Sequence, residues 1–165
     1  MPRLHALELV PDAAGDAAVR RDWRALRDAG IPSQLDHTGG TNTPHVTVLA
    51  LPTLDAGTEA RAADLVGRLL PVTVRVSGLA FLGGDKVTVV RLLDVPPSLV
   101  RAVLDLRDRA EGERHAGWLP HVTLARRVPR AEAHRVVDLL GYDDVALSLV
   151  ALRRWDPERH EVRVL

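Results

Sequence analysis

Pro44-His45-Val46-Thr47-Val48 and Pro120-His121-Val122-Thr123-Leu124 are two copies of one short pattern in a chain of 165 residues. Side chains in an extended strand alternate between faces, so His45 and Thr47 share one face while Val46 and Val48 take the other. The second copy repeats this, with His121 and Thr123 on one face and Val122 and Leu124 on the other. The apolar face can anchor each strand in a core. His and Thr are left pointing together into open space, an arrangement wasteful for folding and suited to a site. The proline before each histidine has no N–H to give a sheet ladder and is compatible with the start of a strand, which puts both histidines at a strand mouth.

Working outward from the first copy, residues 4–10 read as a strand. Asp12 or Asp16 can cap the helix that follows, whose Val19, Trp23 and Leu26 keep one face until Gly30 stops it. Residues 31–44, rich in Gly, Thr, Ser and Pro, form a loop, and their place just before His45 makes them the natural lid. Residues 45–51 are the second strand. Thr58 opens a helix with Ala62, Leu65, Val66, Leu69 and Leu70 on one face, terminated at Pro71. Strand material follows over 72–76 and 79–82 around Gly78.

After Gly83-Gly84 the order repeats. A strand over 87–93 ends at Pro96-Pro97, which start a helix carrying Leu99, Val103, Leu106 and Ala110. A polar loop over 111–120 leads into the strand 121–126. A helix with Ala133, Val136, Val137 and Leu140 then ends at Gly141, before strands over 145–152 and 162–165. Each half thus runs strand, helix, His-bearing strand, helix, strand. The expectation is a single α+β domain over residues 1–165, made of pseudo-repeat lobes of approximately 1–83 and 84–165 whose central strands face a shared groove.

Composition narrows the chemistry. With 46% apolar and 27% charged residues the chain has the profile of a soluble globular protein. It contains no Cys, which excludes disulfides, thiolate metal sites and a cysteine nucleophile, so catalysis must rest on His, carboxylates or hydroxyls. Lys plus Arg, 22, balance Asp plus Glu, 22, so the basic footprint of a broad nucleic-acid binder is missing and a nucleotide or short RNA terminus fits better. No apolar run is long enough for a membrane span and none near Met1 suits a signal peptide, which points to a cytoplasmic protein. A monomer is expected.

Two His and two Thr brought face to face suit phosphoryl transfer without a metal. One imidazole can act as general base while the other, protonated, acts as general acid. Threonine hydroxyls can donate to phosphate oxygens whose charge rearranges in the transition state.

At His45-Val46-Thr47-Val48 and His121-Val122-Thr123-Leu124 the chain resembles the 2H phosphoesterase superfamily, which includes bacterial 2′-5′ RNA ligase-like proteins and RNA 2′,3′-cyclic phosphodiesterases. That group carries one His-x-Thr-x motif in each of two lobes. The resemblance implies a duplicated, bilobal α+β fold, two antiparallel sheets facing a central groove with helices outside. It implies metal-independent cleavage of a cyclic phosphodiester and, in some members, reversible joining of RNA ends through a 2′-5′ linkage. It makes His45 and His121 the catalytic pair, Thr47 and Thr123 the phosphate ligands, and an RNA terminus or small cyclic nucleotide the partner, with no metal and no cofactor. The second motif continues as Leu124-Ala125-Arg126, like members acting on RNA ends. The first continues as Leu49-Ala50-Leu51 and lacks the aromatic-glycine continuation of many ligase-like members, which counts against a ligase in particular.

Three further residues are candidates for substrate contact: Trp118 as a stacking face, Arg126 and His37. Packing over the core is the stronger reading of Trp118. Arg126 points with Leu124, away from His121, unless the strand bulges. His5, His115, His134 and His160 have no partner pattern and read as surface or packing residues. Trp23, Phe81 and Trp155 read as core, and Gly39-Gly40 and Gly83-Gly84 as turns. A zinc site would want Cys or a helical His pair, and neither is present. A binding module that holds a nucleotide or RNA end in the same groove without turnover is the alternative from another class.

Overall fold

The computed structural model describes residues 4–112, 117–142 and 144–165. Its elements run β1 (His5–Pro11), α1 (Ala13–Asp28), β2 (Val46–Leu51), α2 (Ala56–Leu65), β3 (Val72–Gly83), β4 (Lys86–Asp94), α3 (Pro97–Asp108), β5 (His121–Pro129), α4 (Ala133–Leu140), β6 (Ala146–Asp156) and β7 (Glu161–Val164). The strands pair antiparallel in the order β2-β1-β6-β3-β4-β5, with β7 on β6. The α+β class and the antiparallel pairing follow the expectation.

The two expected sheets are one hydrogen-bonded path, and the reason is the length of β6. Its first residues, from Ala146 to Leu149, pair with β3, while Leu149 to Trp155 pair with β1 on the opposite side. Where β3 leaves, β7 takes its place beside Arg153 to Asp156. The halves of the sheet therefore differ from the halves of the chain: β3 joins β4 and β5, and β6 and β7 join β1 and β2.

Local chemistry sets the helix ends. Asp12 caps α1 by accepting the Gly15 N–H at 2.8 Å, and Val19, Trp23 and Leu26 bury the predicted face. The second helix starts earlier than predicted, because Asp55 rather than Thr58 is its cap and accepts the Thr58 N–H at 2.6 Å. The bonds from the Thr58 backbone and hydroxyl hold the Asp55 carboxyl below its ordinary 3.8. The helix stops at Leu65, and Gly67–Leu69 form a separate 3-10 turn. Pro97 opens α3, where its missing N–H costs nothing.

One side of the sheet carries the core. Leu7, Leu9, Val46, Val48, Leu49, Leu124, Ala125 and Leu152 are buried against Trp23, Leu26, Leu99, Val103 and Leu106 of the helices. Helix α1 lies on β5, and α3 lies on β2. Each helix thus braces the His-bearing strand of the other half of the chain. Arg91, 3% exposed, ties β4 to this layer by bonding Asp22 of α1 at 2.9 Å and donating to the Gly141 and Leu140 carbonyls that end α4. The opposite face of the sheet carries the candidate site.

Candidate active site

Both histidines sit where the prolines place them, His45 just before β2 and His121 at the first residue of β5. Their rings are held alike. His45 Nδ1 lies 2.8 Å from the Thr43 carbonyl and His121 Nδ1 lies 2.6 Å from the Leu119 carbonyl, each two residues upstream. A backbone carbonyl only accepts, so Nδ1 carries the hydrogen in both rings and Nε2 is the nitrogen that can exchange a proton.

Each strand then bulges at the same motif position. Glu8 faces Thr47 and Leu7 faces Leu49, so Val48 is an extra residue on β2. Val90 faces Thr123 and Val89 faces Ala125, so Leu124 is the extra residue on β5. A bulge reverses the alternation after it. Leu49 and Ala125 turn into the core, and Ala50 and Arg126 return to the face of the threonines. This places Arg126 opposite to the unbulged expectation: it lines the cavity with His45 and Thr47. Arg127, next in the strand, takes the left-handed φ of 60° that the second irregularity requires.

The backbone behind each threonine is pinned by a tryptophan. Trp118 Nε1 donates to the Thr47 carbonyl at 2.9 Å, and Trp23 Nε1 donates to the Thr123 carbonyl at 3.1 Å. Arg107 of α3 adds a bond to the Val48 carbonyl at 2.9 Å. Trp118 packs against the core and is not among the cavity residues, which agrees with its packing reading.

The cavity encloses about 610 Å³. It is lined from the sheet by Leu4, Ala6, Glu8, His45, Thr47, Ala50, Arg126, Arg153 and Trp155, and from the loop before His45 by a wall of His37, Thr38, Gly39, Thr41 and Asn42. His37 is thus brought to the site, while His121 and Thr123 do not line this cavity. The wall is built by the loop before His45. Ser33 and Asp36 cap the short Gln34–Asp36 turn, Asn42 Nδ2 donates to the Gln34 and His37 carbonyls, and Arg20 of α1 holds the Asn42 carbonyl at 3.1 Å.

Beneath the motifs the two beds differ. Thr47, Glu8 and Arg153 form one row across β2, β1 and β6. Glu8 Oε2 accepts from Arg153 Nε at 2.9 Å and lies 2.8 Å from its Nη2, and Oε1 lies 3.5 Å from His45 Nε2. The guanidinium neutralises a carboxylate that would otherwise repel a phosphate. The corresponding row from Thr123 runs through Val90 and Ala80 and carries no charge. Glu8, Arg153 and Trp155 are residues that motif reading missed. Glu8 did leave a signal, as the one charged side chain in the apolar run of β1.

Of the other histidines, His134 and His160 are exposed, His5 is buried, and His115 lies outside the described residues. His5, Asp156 and Glu158 bring potential ligand atoms within 4.8 Å of one another. Arg154 Nη2 lies 3.2 Å from His5 Nδ1 and 3.5 Å from Asp156, and the same guanidinium pairs with Glu59. The His5 lone pair is thus engaged by a cation, and the cluster is an ion-pair network that joins α2 to β6. No helix among the described residues is long and apolar enough to cross a membrane.

A family model described as the 2′-5′ RNA ligase superfamily matches residues 14–162. No curated protein sequence matches the chain. Solved structures similar in fold include a phosphoesterase, 18% identical with a TM-score of 0.56, aligned over 99% of this chain and 94% of its own. E. coli LigT complexed with NADP+ is 16% identical, TM-score 0.55, over 99% and 94%. Kluyveromyces marxianus Usb1 is 13% identical, TM-score 0.57, over 99% and 97%.

Proposed function

The chain belongs to the 2′-5′ RNA ligase superfamily, and from that premise we propose that it hydrolyses 2′,3′-cyclic phosphates of RNA ends or nucleotides through His45 and His121. One imidazole takes a proton from water through Nε2 as the water oxygen bonds to phosphorus. The bond from phosphorus to one ribose oxygen breaks, and the other ring delivers its Nε2 proton to that oxygen. The product is a ribose monophosphate. Thr47 and Thr123 donate hydroxyl hydrogen bonds to the phosphate oxygens, and Arg126 supplies positive charge where the dianion forms. No step requires a metal or cofactor, and ligation of RNA ends is the same chemistry run with a ribose hydroxyl in place of water. On this reading the 165 residues act as one cytoplasmic domain.

The observation that carries the proposal is the matched construction of the two strand mouths. Ring anchor, bulge and tryptophan brace recur around His45 and His121, and folding alone needs none of this to be duplicated. A second reading, nucleotide binding without turnover, has one observation in its favour: the cavity is lined by His45, Thr47 and Arg126 and not by His121 or Thr123.

The test is hydrolysis of the four nucleoside 2′,3′-cyclic phosphates and a short cyclic-ended RNA in the presence of chelator. His45→Ala and His121→Ala should each lower kcat by roughly 10²- to 10⁴-fold with unchanged folding. Activity that survives in the double variant, or that chelator abolishes, overturns the proposal. Binding without turnover by the wild type selects the second reading.

A further inference from the structure

We propose that Glu8, held by Arg153, is a positioning residue that keeps a proton on His45 Nε2, so that His45 is the general acid and His121 the general base. The proposal rests on the phosphodiesterase reading for the reaction that uses this proton. Its own basis is one difference between two strand mouths that are otherwise built alike.

The position in register with the motif threonine on the neighbouring strand is Glu8 for Thr47 and Val90 for Thr123. Val90 is fully buried and has no polar side-chain atom to offer. Glu8 is 5% exposed and brings a carboxylate to the cavity. Both guanidinium contacts from Arg153, at 2.9 Å and 2.8 Å, fall on Oε2, which leaves Oε1 turned toward His45 Nε2 at 3.5 Å. Among the described residues no carboxylate pairs with His121, whose ring is held by the Leu119 carbonyl.

The hydrogen of a neutral His45 ring lies on Nδ1, fixed there by the Thr43 carbonyl at 2.8 Å. Nε2 of that ring is then a lone pair facing a carboxylate oxygen, two acceptors with no hydrogen between them. A proton on Nε2 turns the same contact into a charge-assisted hydrogen bond. The carboxylate therefore favours the protonated ring, the state from which a general acid starts. His121 has the same Nδ1 anchor over an apolar bed, and its Nε2 lone pair answers to no carboxylate. That is the state from which a general base starts.

The other charged groups around His45 do not supply this contact. Arg153 stands behind Glu8 on β6, Arg126 lines the cavity from β5, His37 faces it from the loop, and Arg107 of α3 is bonded to the Val48 carbonyl. The acid of that loop, Asp36, accepts the Ser33 N–H at 2.8 Å. Glu8 is the anion left to hold a proton on the ring, and Arg153 supplies the cation without which so buried a carboxylate is costly.

The test follows kcat for nucleoside 2′,3′-cyclic phosphates against pH in wild type, Glu8→Gln and the double variant Glu8→Met with Arg153→Met. NMR titration follows the His45 and His121 rings in the same free proteins. Gln keeps the shape of Glu8 and sets a neutral amide beside Nε2, and the double variant leaves no uncompensated ion behind to unfold the chain. An acid that gives up its proton more readily fails first on the alkaline side. Both variants should therefore lower kcat about 3- to 30-fold near pH 8 and less than about threefold near pH 5.5. The His45 ring should lose its proton at lower pH than in wild type, with His121 unmoved. A loss of equal size at both pH values, which a merely structural role would give, overturns the proposal. So does a loss confined to the acid side, or an unchanged His45 titration. The NMR titration needs no substrate. Should the wild type turn over nothing while His45 still titrates lower in both variants, the hold of Glu8 on the His45 proton stands although the hydrolase reading has failed.

Discussion

Arg153→Met isolates the buried charge pair beneath His45. The Glu8 and Arg153 side chains are 6% and 9% exposed, and Glu8 Oε2 is 2.9 Å from Nε and 2.8 Å from Nη2. Methionine keeps the volume of the arginine stem but leaves the largely buried Glu8 carboxylate without its cation. Removing one partner of such a pair costs about 3–5 kcal/mol, whereas replacing both by apolar groups is often neutral. For a domain of this size that loss lowers Tm by about 6–20 °C. Urea unfolding of Arg153→Met, Glu8→Met and the double variant completes a cycle. The double variant should be more stable than Arg153→Met, because no uncompensated charge remains. A cost below about 1 kcal/mol for Arg153→Met, or a double variant that loses the sum of the two singles, would refute the reasoning and mean that water or another group already compensates Glu8.

Trp23→Phe and Trp118→Phe each leave a motif carbonyl, of Thr123 or Thr47, without its indole donor; each should cost about 1 kcal/mol in a thermal melt and lower kcat by displacing a motif strand. Ser33→Ala removes a buried hydroxyl that donates to the Trp23 carbonyl at 2.6 Å and caps the Gln34–Asp36 turn; a loss of about 1–2 kcal/mol in urea unfolding is expected, with a raised KM because the wall of residues 37–42 is anchored there. Arg126→Met should lower kcat/KM about 10- to 100-fold with an unchanged melting curve, since the side chain is exposed and lines the cavity. Asp55 has a folded-state carboxyl held below 3.8 by the Thr58 N–H and hydroxyl, so its stabilisation is complete above 3.8 and disappears as pH falls through the lowered value; the stability difference between wild type and Asp55→Asn should shrink over that range and persist at neutral pH.

Much was legible before any fold was known. Alternation along 45–48 and 121–124 assigns His and Thr to one face because a strand has a period of two, and it needs no partner strand to do so. The prolines, the helix faces around Trp23 and Val103, and the absence of cysteine are equally local facts. Less local features depend on which groups a residue meets in the fold. A cap is chosen by which carboxylate reaches a free N–H, so Asp55 displaced Thr58. Trp155 reads as core by hydrophobicity, yet register with Ala6 puts it on the groove face.

What tertiary structure alone decided is which groups meet. Val48 and Leu124 become bulges only when β1 and β4 are laid beside them, and that slip is what carries Ala50 and Arg126 back to the histidine face. Glu8 finds Arg153 across 145 positions of chain, and each His-bearing strand is braced by a helix from the other half. A sequence states its local periods in full, but pairing register and cross-chain contact depend on a strand's neighbours, and the length of β6 selects those only once the whole sheet has formed.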